Sequence, residues 1–185
     1  MQFPIVALLF TITSAGVVDF PLVHNLFVKV QSNVKLLTTE TERLSPVNNN
    51  LAACSRLVAS SMSIAGEVLR DSAVLTDTDS TTLLGLWKGI GHELISLSGA
   101  LRSNKLAIQM AGTCNSLKLS LLEIDDAHDQ LANTVITKLP KSFQQAAQEQ
   151  HDKIAHVLVK CIMQVKRRQC VDGRGSANPA RLPNK

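Results

Sequence analysis

Residues 105–140 read KLAIQMAGTCNSLKLSLLEIDDAHDQLANTVITKLP, and the spacing of the apolar side chains in this stretch decides the fold. Leu106, Met110, Cys114, Leu117, Leu121 and Ile124, then Leu131 and Val135, recur at steps of three and four. That is the rhythm of a helix packed lengthwise against other helices. His128 occupies the step between Ile124 and Leu131. Leu139-Pro140 closes the run, because a residue before proline is pushed out of the helical region. One helix from Lys105 to Lys138 would reach roughly 50 Å at 1.5 Å per residue. Its neighbours read shorter, so a kink near Gly112 is expected.

Four more segments carry the same period. From Pro21 to Leu44 the stripe is Val23, Phe27, Val30, Val34 and Leu37, with Pro21 suited to a first helical turn. Ser45-Pro46 is a helix start signal, which Asn48-Asn49-Asn50 can delay by a turn. The second segment runs to about Ser72 with Leu51, Cys54, Val58, Met62, Ala65 and Leu69 inward. Thr76-Asp77-Thr78-Asp79 has the form of a capping box with Asp in place of Glu or Gln. It opens a third segment to about Arg102, with Leu83, Trp87, Ile90, Leu94, Leu97 and Leu101 facing the core. A second stripe on it holds Gly85, Gly89, His92, Ser96 and Gly99. Each glycine costs up to ~1 kcal/mol against Ala in a helix interior, so the stripe serves close helix approach or room for a ligand. The turn at Ser103-Asn104 is short, which makes the third and fourth segments antiparallel neighbours. Ser142-Phe143-Gln144-Gln145 offers another capping box before a fifth segment. That segment runs to about Arg168, with Phe143, Ala147, Gln150, Ile154, Val157, Leu158, Cys161 and Val165 inward. The sum is an all-α, five-helix, up-and-down bundle.

Composition agrees. The chain is 45% hydrophobic but 3% aromatic, with no Tyr, which suits helix packing better than a β-sandwich. At 185 residues it can bury a core without relying on disulfides or metal. Residues 1–16 read as a secretory signal peptide: an apolar run from Pro4 to Ile12, then small Ser14-Ala15-Gly16. The run is too short to span a bilayer, so no transmembrane insertion is expected. A helical domain over 17–170 and a disordered tail over 171–185 complete the division. Residues 160–185 hold seven Lys or Arg against one Asp. No stacking aromatics accompany them, so nucleic acid is not the expected partner. The tail is either solvated or an electrostatic hold on anionic material. Lys166-Arg167-Arg168 reads as a helix-end cap or as a dibasic processing site.

Cys54, Cys114, Cys161 and Cys170 form an even set, which secretion would pair. In an up-down bundle the first three lie near one end, at similar heights. The expected pairs are Cys54–Cys114 and, if the chain turns back after Arg168, Cys161–Cys170. No CxxC, Cys/His zinc spacing or His-Glu-x-x-His occurs, so no metal site is expected. Nor is there a Gly-x-Ser-x-Gly elbow, a Walker loop or a Gly-x-Gly-x-x-Gly phosphate loop. His128 on its apolar seam is a satisfied core histidine or the group that orients a bound carboxylate. Asp125 and Asp129 stand one helical turn apart within the acidic run of Glu123, Asp125, Asp126 and Asp129. They lack the context of a calcium loop or a glycosidase pair and read as a solvated face.

The leader, Leu75-Thr76-Asp77-Thr78-Asp79-Ser80 before a Leu-rich helix, Ala111-Gly112 ahead of Leu117, Leu119 and Leu122, and the Lys138-Leu139-Pro140 break together carry a resemblance. From about Pro21 to Cys170 the chain resembles the fungal hydrophobic surface binding protein A family, which includes cell-wall galactomannoproteins. It departs in its four cysteines, its basic tail and its lack of a Ser/Thr-rich extension. The resemblance implies a secreted, non-enzymatic helical protein, without cofactor, in the extracellular space or cell wall. It implies adsorption to hydrophobic surfaces, recruitment of secreted hydrolases and, in some members, fatty acids held inside. A greasy slot among Trp87, Leu94, Leu117 and Leu121, with His128 beside it, is the expected ligand site. The alternative is a secreted protein-interaction module, an effector or an enzyme inhibitor.

Overall fold

The computed structural model of this chain describes residues 19–44, 50–166 and 170–172. Among them are six helices and no β-strand: α1 Phe20–Glu42, α2 Leu51–Asp71, α3 Asp77–Ser103, α4 Lys105–Met110, α5 Cys114–Lys138 and α6 Lys141–Gln164. The leader, Ser45-Pro46 and the chain after Asp172 lie outside the described residues.

The four complete stripes read from the sequence are the ones that pack. Val23, Phe27, Val30, Val34 and Leu37 of α1 have no exposed surface, and neither do Leu83, Trp87, Leu94 and Leu97 of α3. Burying one such side chain contributes about 1.5–3 kcal/mol. The Thr76 capping box also forms. Its hydroxyl accepts from the Asp79 backbone N–H at 3.2 Å and donates to Asp79 Oδ2 at 2.7 Å. The second capping box does not. The last helix starts at Lys141 with Pro140 at its cap and no side-chain cap, because Pro140 already holds the chain extended at the position a serine cap would need.

The fourth segment is two helices rather than one. Gly112 takes a left-handed conformation, φ +65°, which ends α4 as glycine commonly ends a helix. Thr113 N–H then bonds back to the Ile108 carbonyl at 3.2 Å. The break shifts the helical phase. Leu106 and Met110, expected inward, are 68% and 66% exposed, and Ile108 is buried instead.

Helix neighbours form a closed ring: α1 touches α2 and α3, α2 touches α5, and α6 joins α5 to α3. The α2–α3 connection is pinned to the end of α5, where Leu75 N–H donates to the Lys138 carbonyl and Lys138 Nζ to that of Ser72. Thus α2 and α5 run one way, and α3 and α6 return the other way. The expectation that the third and fourth segments are side-by-side neighbours is corrected. The α3 helix packs on α1 and α6, whereas α5 packs on α2 and α6. The short connection does lead into a helix, but that helix is the six-residue α4, which lets the chain cross before α5 begins.

Both expected disulfides are corrected as well. The bond joins Cys114 to Cys170, Cα–Cα 5.7 Å, and Cys54 and Cys161 are buried free thiols. Shared height along a bundle leaves the direction of each side chain around its helix undetermined, so height alone could not choose the partner. Because α6 runs antiparallel to α5, its end lies beside the start of α5, and Cys170, whose N–H donates to the Lys166 carbonyl at 2.9 Å, meets Cys114 there. Asp172 Oδ1 accepts from Cys114 N–H at 2.7 Å. A carboxylate there suits the positive end of the α5 dipole.

Candidate functional site

Midway along the bundle an apolar interior holds a knot of polar rings. Trp87 sits in the middle of α3 with no exposed surface, because its step in the α3 stripe faces the ring's inside. Across from it on α5 stands His128, equally buried, with ring centroids 6.1 Å apart. The third ring is His151 of α6, stacked on His128 at 5.1 Å and 22°.

Among the described residues, Trp87 Nε1, both nitrogens of His128 and His151 Nδ1 are buried without a hydrogen-bond partner. A buried polar group left unpaired costs about 1–3 kcal/mol, and native proteins leave few of them. Four such atoms in one knot are a demand for a ligand, water or ion. Burial, with His151 beside it, pulls the His128 imidazole down to about 3. At neutral pH it is therefore uncharged, with one nitrogen donating and the other accepting.

On the outer side of the knot lies Asp129. Its Oδ1 is 3.6 Å from His128 Nδ1 and 4.0 Å from His151 Nδ1. One donor atom from each of the three residues lies within 4.8 Å of the other two. The spacing of the sequence offers no metal-ligand set, whereas the fold brings together three residues whose donor atoms could hold an ion. Asp125, on the same helix, has its carboxyl pushed up by partial burial and by Asp129 and Asp126.

The five residues expected to line the ligand site are all interior. Trp87, Leu94, Leu121 and His128 have no exposed surface, and Leu117 is 2% exposed. The structure brings Trp87 and His128 into contact. Leu94 lies two turns further along α3, and Leu121 two turns back along α5, both toward the disulfide end. From the knot to Leu117 is about 16 Å of helix. The interior between them is packed with side chains.

His151 was missed by sequence reasoning, although a signal for it exists. It occupies the step between Ala147 and Ile154 on the buried stripe of α6, as His128 does between Ile124 and Leu131 on α5. The remaining histidines do not join. His92 and His156 are exposed, and His24 packs edge-on against Phe20.

Along the seam between α3 and α6 runs an open groove. One part, about 610 Å³, is lined by Ile95, Gly99, Val157, Val159 and Met163, with Arg102 and Lys160 at its rim. A second part of about 310 Å³ shares Ile95 and Val157 and is flanked by Lys88 and Lys153. At Gly91 the two helices approach closely: a Cβ there would stand 2.9 Å from Gln150 Nε2 and 3.3 Å from Ile154 Cγ1. Gly89 meets Gln31 of α1 in the same way, whereas Gly85 and Gly99 have open space. The small-residue stripe thus serves close approach at one step and leaves room at others. Among the described residues no helix is long and apolar enough to cross a membrane.

No family model and no curated protein matches this chain. Solved structures do. Ligand-binding domain 2 of the Penicillium marneffei MP1 protein, complexed with multiple arachidonic acids, aligns with a TM-score of 0.74 at 18% identity, over 80% of this chain and 96% of that one. AFMP4P in complex with palmitic acid aligns at 0.76 and 14% identity, over 80% and 100%. The two-domain Talaromyces marneffei Mp1 protein aligns at 0.73 and 17% identity, where this chain spans about half of its length. The chain shares the fold of these fungal helical domains.

Proposed function

We propose that this chain is a binder of fatty acids or similar long-chain carboxylates, with the acyl chain inside the helical ring. The observation that carries the reading is the buried, unpaired pair of Trp87 Nε1 and His128 Nε2 in an otherwise apolar interior. Both would donate to a carboxylate, satisfying groups that are otherwise unpaired. Leu94, Leu121 and Leu117 fill that interior, so the acyl chain would lodge toward the disulfide end by spreading these side chains apart, gaining about 25 cal/mol per Å² of apolar surface removed from water. Entry would be along the α3–α6 groove, whose Lys and Arg rim draws an anionic headgroup. The fatty acids in the structural neighbours support the same reading.

In this reading the protein works by binding and does not catalyse. The apparent leader and the resemblance to the hydrophobic surface binding protein A family support export to the extracellular space or the cell wall. Recruitment of a hydrolase belongs to the same resemblance. Titration of delipidated protein with palmitate and arachidonate by calorimetry tests the proposal. Saturable binding is expected, with quenching or a shift of emission from Trp87, the sole tryptophan. A flat titration with both acids would refute internal binding and leave adsorption through the exposed apolar groove residues.

A further inference from the structure

The outer face of the polar knot has a chemistry that a carboxylate ligand does not use. His128 and His151 come from different helices, yet both have Nδ1 within 4.0 Å of one carboxylate oxygen, Asp129 Oδ1. The three differ in exposure: His128 is fully buried, His151 is 21% exposed and Asp129 is 56% exposed. One ligand is therefore held rigidly in the core, and two reach it from the solvent side. His128 Nδ1 and His151 Nδ1 have no hydrogen-bond partner among the described residues, so neither nitrogen is committed elsewhere.

We infer that His128, His151 and Asp129 form a binding site for a divalent transition-metal ion of the zinc class, open on its fourth side. Two imidazoles and one carboxylate are a ligand set that zinc accepts, with a vacant position for water or ligand. Around a tetrahedral ion with bonds of about 2.0–2.1 Å the donors stand roughly 3.3 Å apart. The present separations of 3.6 and 4.0 Å to Asp129, and a His–His donor separation within 4.8 Å, close to that value when the His151 ring turns out of its stack on His128 and Asp129 swings toward both. Hard cations such as Ca²⁺ and Mg²⁺ prefer all-oxygen shells of six or more ligands, which two imidazoles do not supply. Coordination would also satisfy two of the orphaned nitrogens at once, where an empty knot leaves both unpaired.

The test uses the full chain, delipidated and stripped with a chelator, titrated with ZnCl₂ by calorimetry at pH 7.5. One Zn²⁺ per chain is expected, with no heat from CaCl₂ or MgCl₂. His151→Ala removes a partly exposed ligand, so the fold survives, which circular dichroism checks. It should weaken Zn²⁺ at least 10-fold, and Asp129→Asn should weaken it as well. The imidazole resonances of His128 and His151 should shift on Zn²⁺ addition, which separates this site from zinc captured by the free thiols of Cys54 or Cys161. Undiminished Zn²⁺ affinity in His151→Ala, or unmoved His128 and His151 resonances, would overturn the proposal. Because lipid is absent, the result is independent of whether fatty acids bind.

Discussion

Cutting the Cys114–Cys170 bond should cost this protein a large part of its stability. The two cysteines are 56 residues apart in sequence. A cross-link closing a loop of that length removes about 14 cal/mol/K of unfolded-chain entropy, or about 4 kcal/mol at 25 °C. A domain of this size is stable by only about 5–15 kcal/mol. Cys170→Ala opens the loop and removes a small side chain beside Asp172. In urea, with a slope of about 2 kcal/mol/M, the midpoint should fall by about 2 M. Cys54→Ala provides the control, since it removes a buried thiol but leaves the cross-link, and should cost about 1 kcal/mol. A midpoint for Cys170→Ala equal to that of Cys54→Ala would refute the entropic argument. A non-reducing peptide map that joined Cys54 to Cys114 would refute the pairing itself.

Other consequences are open to direct measurement. The unfolded His128 imidazole takes up a proton near 6.5 and the folded one at about 3. Its contribution is therefore fully present above 6.5 and drains as pH falls toward 3. Between pH 7 and pH 4 the metal-free protein should lose about 3 kcal/mol that His128→Leu does not lose; parallel urea curves for the two proteins would contradict this. Trp87→Phe keeps most of the packing but removes the indole N–H, so palmitate affinity should drop about 10- to 100-fold, one hydrogen bond to a charged group being worth about 1.5–3 kcal/mol; unchanged calorimetric affinity would remove Trp87 from the headgroup site. Leu121→Ala opens a cavity in the fully buried interior and should cost about 2–5 kcal/mol, read as a lowered denaturation midpoint. Thr76→Ala removes the cap of α3 and should cost about 1 kcal/mol, with loss of amide protection confined to the first turn of that helix.

Much of the bundle was legible because helix burial is a local, periodic signal. Val23 to Leu37, Leu51 to Leu69 and Leu83 to Leu101 pack as their spacing requires, and the Thr76 box marks the start of α3 to the residue. What failed depended on three-dimensional direction. The phase slip at Gly112 came from one left-handed residue, which turned Leu106 and Met110 outward although their spacing fitted the stripe. Cys170 meets Cys114 because the end of α6 lies beside the start of α5, a proximity that no periodicity records. The polar knot was half legible: His128 stood out on an apolar seam, whereas His151, at the matching step of α6, joined it only once α5 and α6 packed side by side. Asp129 was visible in the acidic run of α5, but its grouping with both histidines could not be read from spacing, because His128 and His151 lie on separate helices.

The bond between Cys114 and Cys170 also determines the fate of the basic carboxyl-terminal peptide. A protease that cleaved after Lys166-Arg167-Arg168 would sever the backbone, yet Cys170 would keep the daughter fragment tethered to the head of α5. The nicked molecule would migrate as one species until a reductant arrived and as two afterwards. In oxidising surroundings the positive charges would travel with the bundle whether or not the chain was cut, and only a change of redox conditions would set them loose.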